Sequence, residues 1–206
     1  DRGQLFRLSF ALLRRFAYVY MTPPHITPKP QLNKNSLPTA QRDLFRPYAE
    51  RALRYLAMRG VLEEDLATLV VLDLPKDAKG LLDEAERLGL LGILKWALDE
   101  AEGLGLEVGP SMVLDVLRVV AVHAAAPSSL RLSDDVFVDY VVSSLILPYF
   151  AAVAPRVRQK AVLSARQPRE VNEVRDMREK IGEWLGAQSL SIRVMEGLLH
   201  ELPVEV

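Results

Sequence analysis

Residues 133–169 read SDDVFVDYVVSSLILPYFAAVAPRVRQKAVLSARQPR. Ser133 is a fair helix N-cap, and Asp134 and Asp135 sit where the positive end of a helix dipole favours carboxylates. Residues 136–154 are an apolar run that belongs in a central helix. Pro148 should kink that helix, because proline removes one backbone donor and crowds the preceding turn. Pro155 starts a further helix and Pro168 breaks it. From residue 156 the stretch carries Arg156, Arg158, Lys160, Arg166 and Arg169 and no acid. A core helix that leads into a bare basic segment sets both the fold class and the functional question.

Upstream, SMVLDVLRVVAVHAAA (111–126) is almost wholly apolar. Its valines would suit a buried strand, but its length and its alanines favour helix. Asp115 and Arg118, three apart, are placed to pair on one face. GLGLEVGP (103–110) reads as a loop. Residues 78–103 read as one or two amphipathic helices with an acidic outer face: Asp83, Glu84, Glu86, Asp99, Glu100 and Glu102. Residues 62–72 form a short helix, followed by a break at Pro75. In RDLFRPYAERALRYLAMRG (42–60), Leu44, Phe45, Tyr48, Ala52, Tyr55, Leu56 and Met58 recur at helical spacing. Pro47 suits the first turn there and Gly60 a C-terminal cap. Downstream, Val171, Val174, Met177, Ile181, Trp184 and Leu185 mark an amphipathic helix ended by Gly186, and residues 189–202 make a last one. The expected fold is all-α: an irregular multi-helix bundle of about ten helices, with minor or no sheet.

Three regions follow. Residues 1–20 form an N-terminal amphipathic helix, of open standing because the first methionine is Met21. Residues 21–41, with five prolines, are a semi-extended linker. Residues 42–206 are the helical domain. Residues 4–20 are interrupted by Arg7, Arg14 and Arg15 and are too short to span a bilayer, and they lack the order of a signal peptide. No membrane association is expected.

Half of the 206 residues are hydrophobic and 26% are charged, which is the profile of a folded chain with a real core. There is no cysteine, so disulfides, thiolate metal sites and iron–sulfur clusters are excluded; this fits a cytoplasmic setting. Scarce asparagine and abundant charge point to a thermophile. The net charge of −1 hides segregation: residues 1–60 sum to +8 and residues 61–110 to −8. Such asymmetry steers partners and polyanions.

Catalytic chemistry is hard to find. His25, His123 and His200 lie far apart without carboxylates at metal-ligand spacing. His123, in an apolar helix, reads as a core histidine. Gly103, Gly105 and Gly109 lack the Lys-Ser/Thr pair of a phosphate loop. Ser143 and Ser144 have no partner base, and Asp134 and Asp135 read as helix-start residues. No cofactor, metal or catalytic residue is expected. Arg156, Arg158, Lys160, Arg166 and Arg169 are the best site candidate. Such a run can neutralise several phosphates in a salt-sensitive, sequence-independent way. The competing reading is a solvated face paired with Glu170 and Glu173. No aromatic residue interleaves the cations, which argues against a single-strand stacking platform.

Taken in order, LFRPYAERALRYLAMRG (44–60), DDVFVDYVVSSLILPYFAAVAPRVRQKAVLSARQ (134–167) and MREKIGEWLGAQ (177–188) resemble segments of the N-terminal domain of the archaeal DNA primase large subunit. The chain departs from that pattern at RQKAVLSARQ, where the family carries an Arg-Tyr-Ala-like run. Helices 4–20 and 111–126 have no counterpart, and the family's iron–sulfur domain is missing. The resemblance implies a noncatalytic accessory subunit of a DNA-replication complex. It would dock the small catalytic primase subunit, contact a DNA or RNA backbone and support RNA primer synthesis. The alternative is a helical protein–protein interaction scaffold without nucleic-acid binding, and a third is a small-molecule enzyme built on scattered acids.

Overall fold

The computed structural model describes residues 37–58, 75–106, 108–153, 169–200 and 202. All regular structure among them is helical, and the expected all-α class holds in that coarse form. A short helical turn, Thr39–Asp43, precedes α1 (Arg46–Met58). Then follow α2 (Ala78–Arg87), α3 (Leu90–Gly103), α4 (Ser111–Ala125), α5 (Asp134–Val141), α6 (Arg169–Leu185) and α7 (Leu190–His200). These are seven α-helices of eight or more residues among the described residues. The count of about ten is not reached here, because segments 4–20, 62–72 and the one opened by Pro155 lie outside the described residues.

Residues 78–103 are two helices rather than one. Asp77 caps α2, its carboxylate accepting from the Gly80 N–H at 2.8 Å. The helix stops at Gly89, whose φ of 74° lies in the left-handed region that glycine enters freely. Leu90 then opens α3 at once. The far end of α3 closes by a paired C-cap. Gly105 (φ 65°) donates to the Glu102 carbonyl at 2.9 Å and Leu106 to that of Ala101 at 2.8 Å. Leu106 tucks into the core behind it.

The apolar helix α4 lies at the centre, against α1, α2 and the segment after α5. Met112, Val113, Val116, Leu117, Val120 and Ala121 are buried on it, which confirms helix over strand. Phe45, just before α1, and Ala49, Ala52 and Leu56 on it enter the core, whereas Leu44 and Tyr55 are partly exposed. Arg118 pairs with Asp115 at 2.9 Å and lies over the Tyr55 ring at 3.8 Å, which gives that exposed ring a cation–π contact.

Pro148 does disturb its helix, over several residues rather than by one bend. From α5 the chain runs into a wide π turn, Val142–Ile146, and then a tight 3-10 stretch, Leu147–Ala152. The proline lacks the N–H that would continue the ladder, so the bonding pattern loosens before it and tightens after it. Val142, Ile146, Leu147, Phe150 and Val153 remain buried throughout.

Candidate functional site

Arg156, Arg158, Lys160 and Arg166 lie outside the described residues. Arg169 opens α6, but its side chain lies outside them too. Among the described residues no group of three His, Cys, Asp or Glu could hold a metal ion. No helix among them is long and apolar enough to cross a membrane.

The other candidates resolve into structural roles. His123 is buried, stacked on Phe137 with ring centroids 3.7 Å apart, and its Nε2 lies 3.1 Å from the Leu132 carbonyl. The Gly103–Gly109 loop gives the N–H groups of Leu104, Gly105 and Leu106 to the end of α3, which leaves those donors unavailable to a phosphate. Ser143 is buried and donates to the Tyr140 carbonyl at 3.1 Å. Ser133 occupies the N-cap position of α5, but its side chain makes no capping bond; its carbonyl accepts from the Phe137 N–H at 2.9 Å.

The acidic face of α2 and α3 is largely committed to internal pairs. Arg42, from the basic N-terminal part, reaches both Asp83 and Glu86, the latter at 2.9 Å. Lys95 is only 1% exposed and holds the Asp99 carboxylate at 2.5 Å. Arg87 accounts for Glu84 and Asp134, at 2.8 and 2.6 Å. The Arg42 pairs join the two segments that the sequence shows as oppositely charged.

Around Arg87 the helices leave a cleft of about 270 Å³. Its apolar walls come from Ile93 of α3, Val138 of α5 and Trp184 of α6, and Gly89 and Gly92 bound it without side chains. Trp184 is fixed by an edge-on contact with Trp96, ring centroids 4.9 Å apart at 84°. Arg87, Asp134 and Asp135 form the charged rim. Hydrogen bonds donated to Glu84, then to Asp134, raise the Arg87 pKa above its ordinary value. The same guanidinium lowers both carboxyls below their ordinary values by hydrogen bonding. Asp135 has no cation within pairing distance among the described residues. The sequence expectation for Asp134 and Asp135 was one shared role at the helix start; the structure separates them into a paired and an unpaired carboxylate.

A second surface lies on the outer side of α5. Val136 and Tyr140, one turn apart, are 55% and 50% exposed. Leu132 precedes them at 48%. Leu190, at 46%, is held nearby because its N–H donates to Asp139 at 2.7 Å. Sequence reading missed both the cleft and this strip, which depend on how α3, α5, α6 and α7 meet.

No protein-family model, no curated protein and no solved structure matches this chain.

Proposed function

We propose that the protein is a noncatalytic helical interaction module whose α5 outer face receives a protein partner. The observation that supports this is the exposed strip of Leu132, Val136, Tyr140 and Leu190. Grouped side chains of this size leave apolar area in water at about 25 cal/mol per Å², which a partner surface would remove. Tyrosine suits such a place, since its ring is apolar and its hydroxyl tolerates water.

In its narrower form the reading is a cytoplasmic accessory subunit of a DNA-replication complex. The partner is then the small catalytic primase subunit, and Arg156, Arg158, Lys160, Arg166 and Arg169 contact a nucleic-acid backbone. The ordered sequence resemblance and the acid-free basic run support this form.

Two measurements separate the forms. The full chain and the Val136→Ser/Tyr140→Ser variant are used as baits in lysate of the source organism. A stoichiometric partner held by the first and lost by the second supports the module; equal recovery by both overturns it. Charge reversal at Arg156, Arg158 and Lys160 should weaken DNA binding and flatten its salt dependence. Unchanged DNA affinity overturns the nucleic-acid role.

A further inference from the structure

The cleft between α3, α5 and α6 has a charge balance that selects a ligand class, independently of the docking reading. Its walls at Ile93, Val138 and Trp184 are apolar, so a bound group needs an apolar body to displace water from them. Among the described residues its rim holds one cation, Arg87, already engaged by Glu84 and Asp134. A ligand carboxylate or phosphate would compete with those two acids for a guanidinium whose donors they occupy. Arg131, nearby, is turned to the Ala124 and Ala126 carbonyls at 2.5 and 2.9 Å. The positive end of α5 offsets about half a charge. What remains at the rim is the Asp135 carboxylate, which has no partner among the described residues.

We propose that this cleft binds an organic cation with an apolar stem, an alkylammonium or alkylguanidinium group, with Asp135 as its counter-ion. The stem lies against Ile93 and Val138. The charged head sits at the Asp135 carboxylate on the rim. A volume of about 270 Å³ suits a single such group rather than a large cofactor. Gly92, in the first turn of α3, lines the cleft without a side chain.

The chain has two tryptophans, so ligand entry can be read by fluorescence. The full chain is titrated with hexylammonium and, in parallel, with hexan-1-ol, which has the stem without the charge. Trp184→Phe assigns the signal to the cleft. Hexylammonium should give a saturable change and bind about fivefold more tightly than hexanol, the scale of one partly exposed ion pair. Asp135→Asn should reduce hexylammonium to the level of hexanol. That carboxylate makes no hydrogen bond or ion pair among the described residues, so the melting temperature should fall only slightly, by the loss of its contact with the helix dipole. Gly92→Leu should abolish binding of both. A lysine side chain supplied as Nα-acetyl-lysine amide distinguishes the sources: binding as tight as hexylammonium assigns the cation to a polypeptide, and binding of the free amine alone assigns it to a small ligand. Absence of saturable binding, equal affinity for hexanol, or an undiminished Asp135→Asn variant would each overturn the proposal.

Discussion

Asp139 Oδ1 and Ser191 Oγ, fifty-two residues apart in the chain, lie 2.5 Å from each other. The same carboxylate accepts the N–H of Leu190 at 2.7 Å and of Ser191 at 2.9 Å. The first turn of α7 therefore receives acceptors from α5, in addition to the Ser189 hydroxyl that accepts from the Ile192 N–H. A helix start leaves donors unsatisfied, and a negative charge there also meets the dipole favourably.

Replacing Asp139 by alanine should cost about 2 kcal/mol, because it removes a charged cap and leaves donors unfilled. Asp139→Asn, which keeps one acceptor oxygen, should cost about half that. Urea unfolding measures both, and hydrogen exchange at Leu190 and Ser191 should accelerate selectively. Uniform acceleration throughout the domain would argue against a local cap.

The Arg87 cluster sets part of the acid response. Glu84 and Asp134 have folded-state pKa values below their unfolded ones, through hydrogen bonding to Arg87. Their contribution is complete above the ordinary carboxylate range near pH 4 and is lost as pH falls through the lowered folded values. These groups are partly exposed, so the whole contribution is about 1 kcal/mol after screening. Arg87→Ala should remove that much at pH 7 and nearly nothing at pH 2. A stability loss equal at both pH values would show that Arg87 acts by packing alone.

Lys95 and Asp99 allow a sharper comparison. The ammonium is nearly fully buried, whereas the carboxylate is 23% exposed. Asp99→Ala takes the carboxylate away from a buried ammonium and should destabilise by about 3 kcal/mol. Lys95→Met replaces the charge by an apolar chain of similar length and should change stability by less than about 1 kcal/mol. Chemical denaturation of the two variants and the double variant decides it; a costlier Lys95→Met would mean that the pair itself stabilises the fold.

Glycines 103 and 105 should respond in opposite ways. Nothing lies within 4 Å of a Cβ built at either, so the backbone alone decides. Gly105, at φ 65°, should lose about 1 kcal/mol on change to alanine. Gly103 belongs to the last turn of α3 and should gain about 0.5 kcal/mol from the same change. Thermal melts of the pair measure this, and equal signs would contradict the cap geometry.

Local signals were readable in the sequence wherever spacing or a special residue decides. The period of 111–126, the stop at Gly186, the Asp115–Arg118 pair and the core place of His123 all rest on neighbours within a few turns. What depends on distant partners was not readable. Asp139 looks like one more polar residue on an apolar helix until Leu190 is beside it. Lys95 reads as surface until burial shows it inside the core. Trp184 gives only a helical period, and the cleft it walls exists because α3, α5 and α6 converge. The best sequence candidate, Arg156 to Arg169, rests on a charge run and still awaits its binding measurement.

The π turn at Val142–Ile146 has a consequence for how the chain tolerates changes of length. An α-helix advances about 100° per residue, so one residue more or fewer turns everything downstream by that angle. The wide turn absorbs a phase step that lets Val138 and Val141 before it, and Ile146, Leu147 and Phe150 after it, all face inward. Deleting a single residue from this turn would give a more regular helix with Ile146, Leu147 and Phe150 swung out of the core. Such a deletion should unfold the domain, whereas a point substitution at the exposed Ser144 in the same turn should be tolerated. The irregularity thus works as a register mark, with the chain length between Asp139 and Phe150 held to a fixed count.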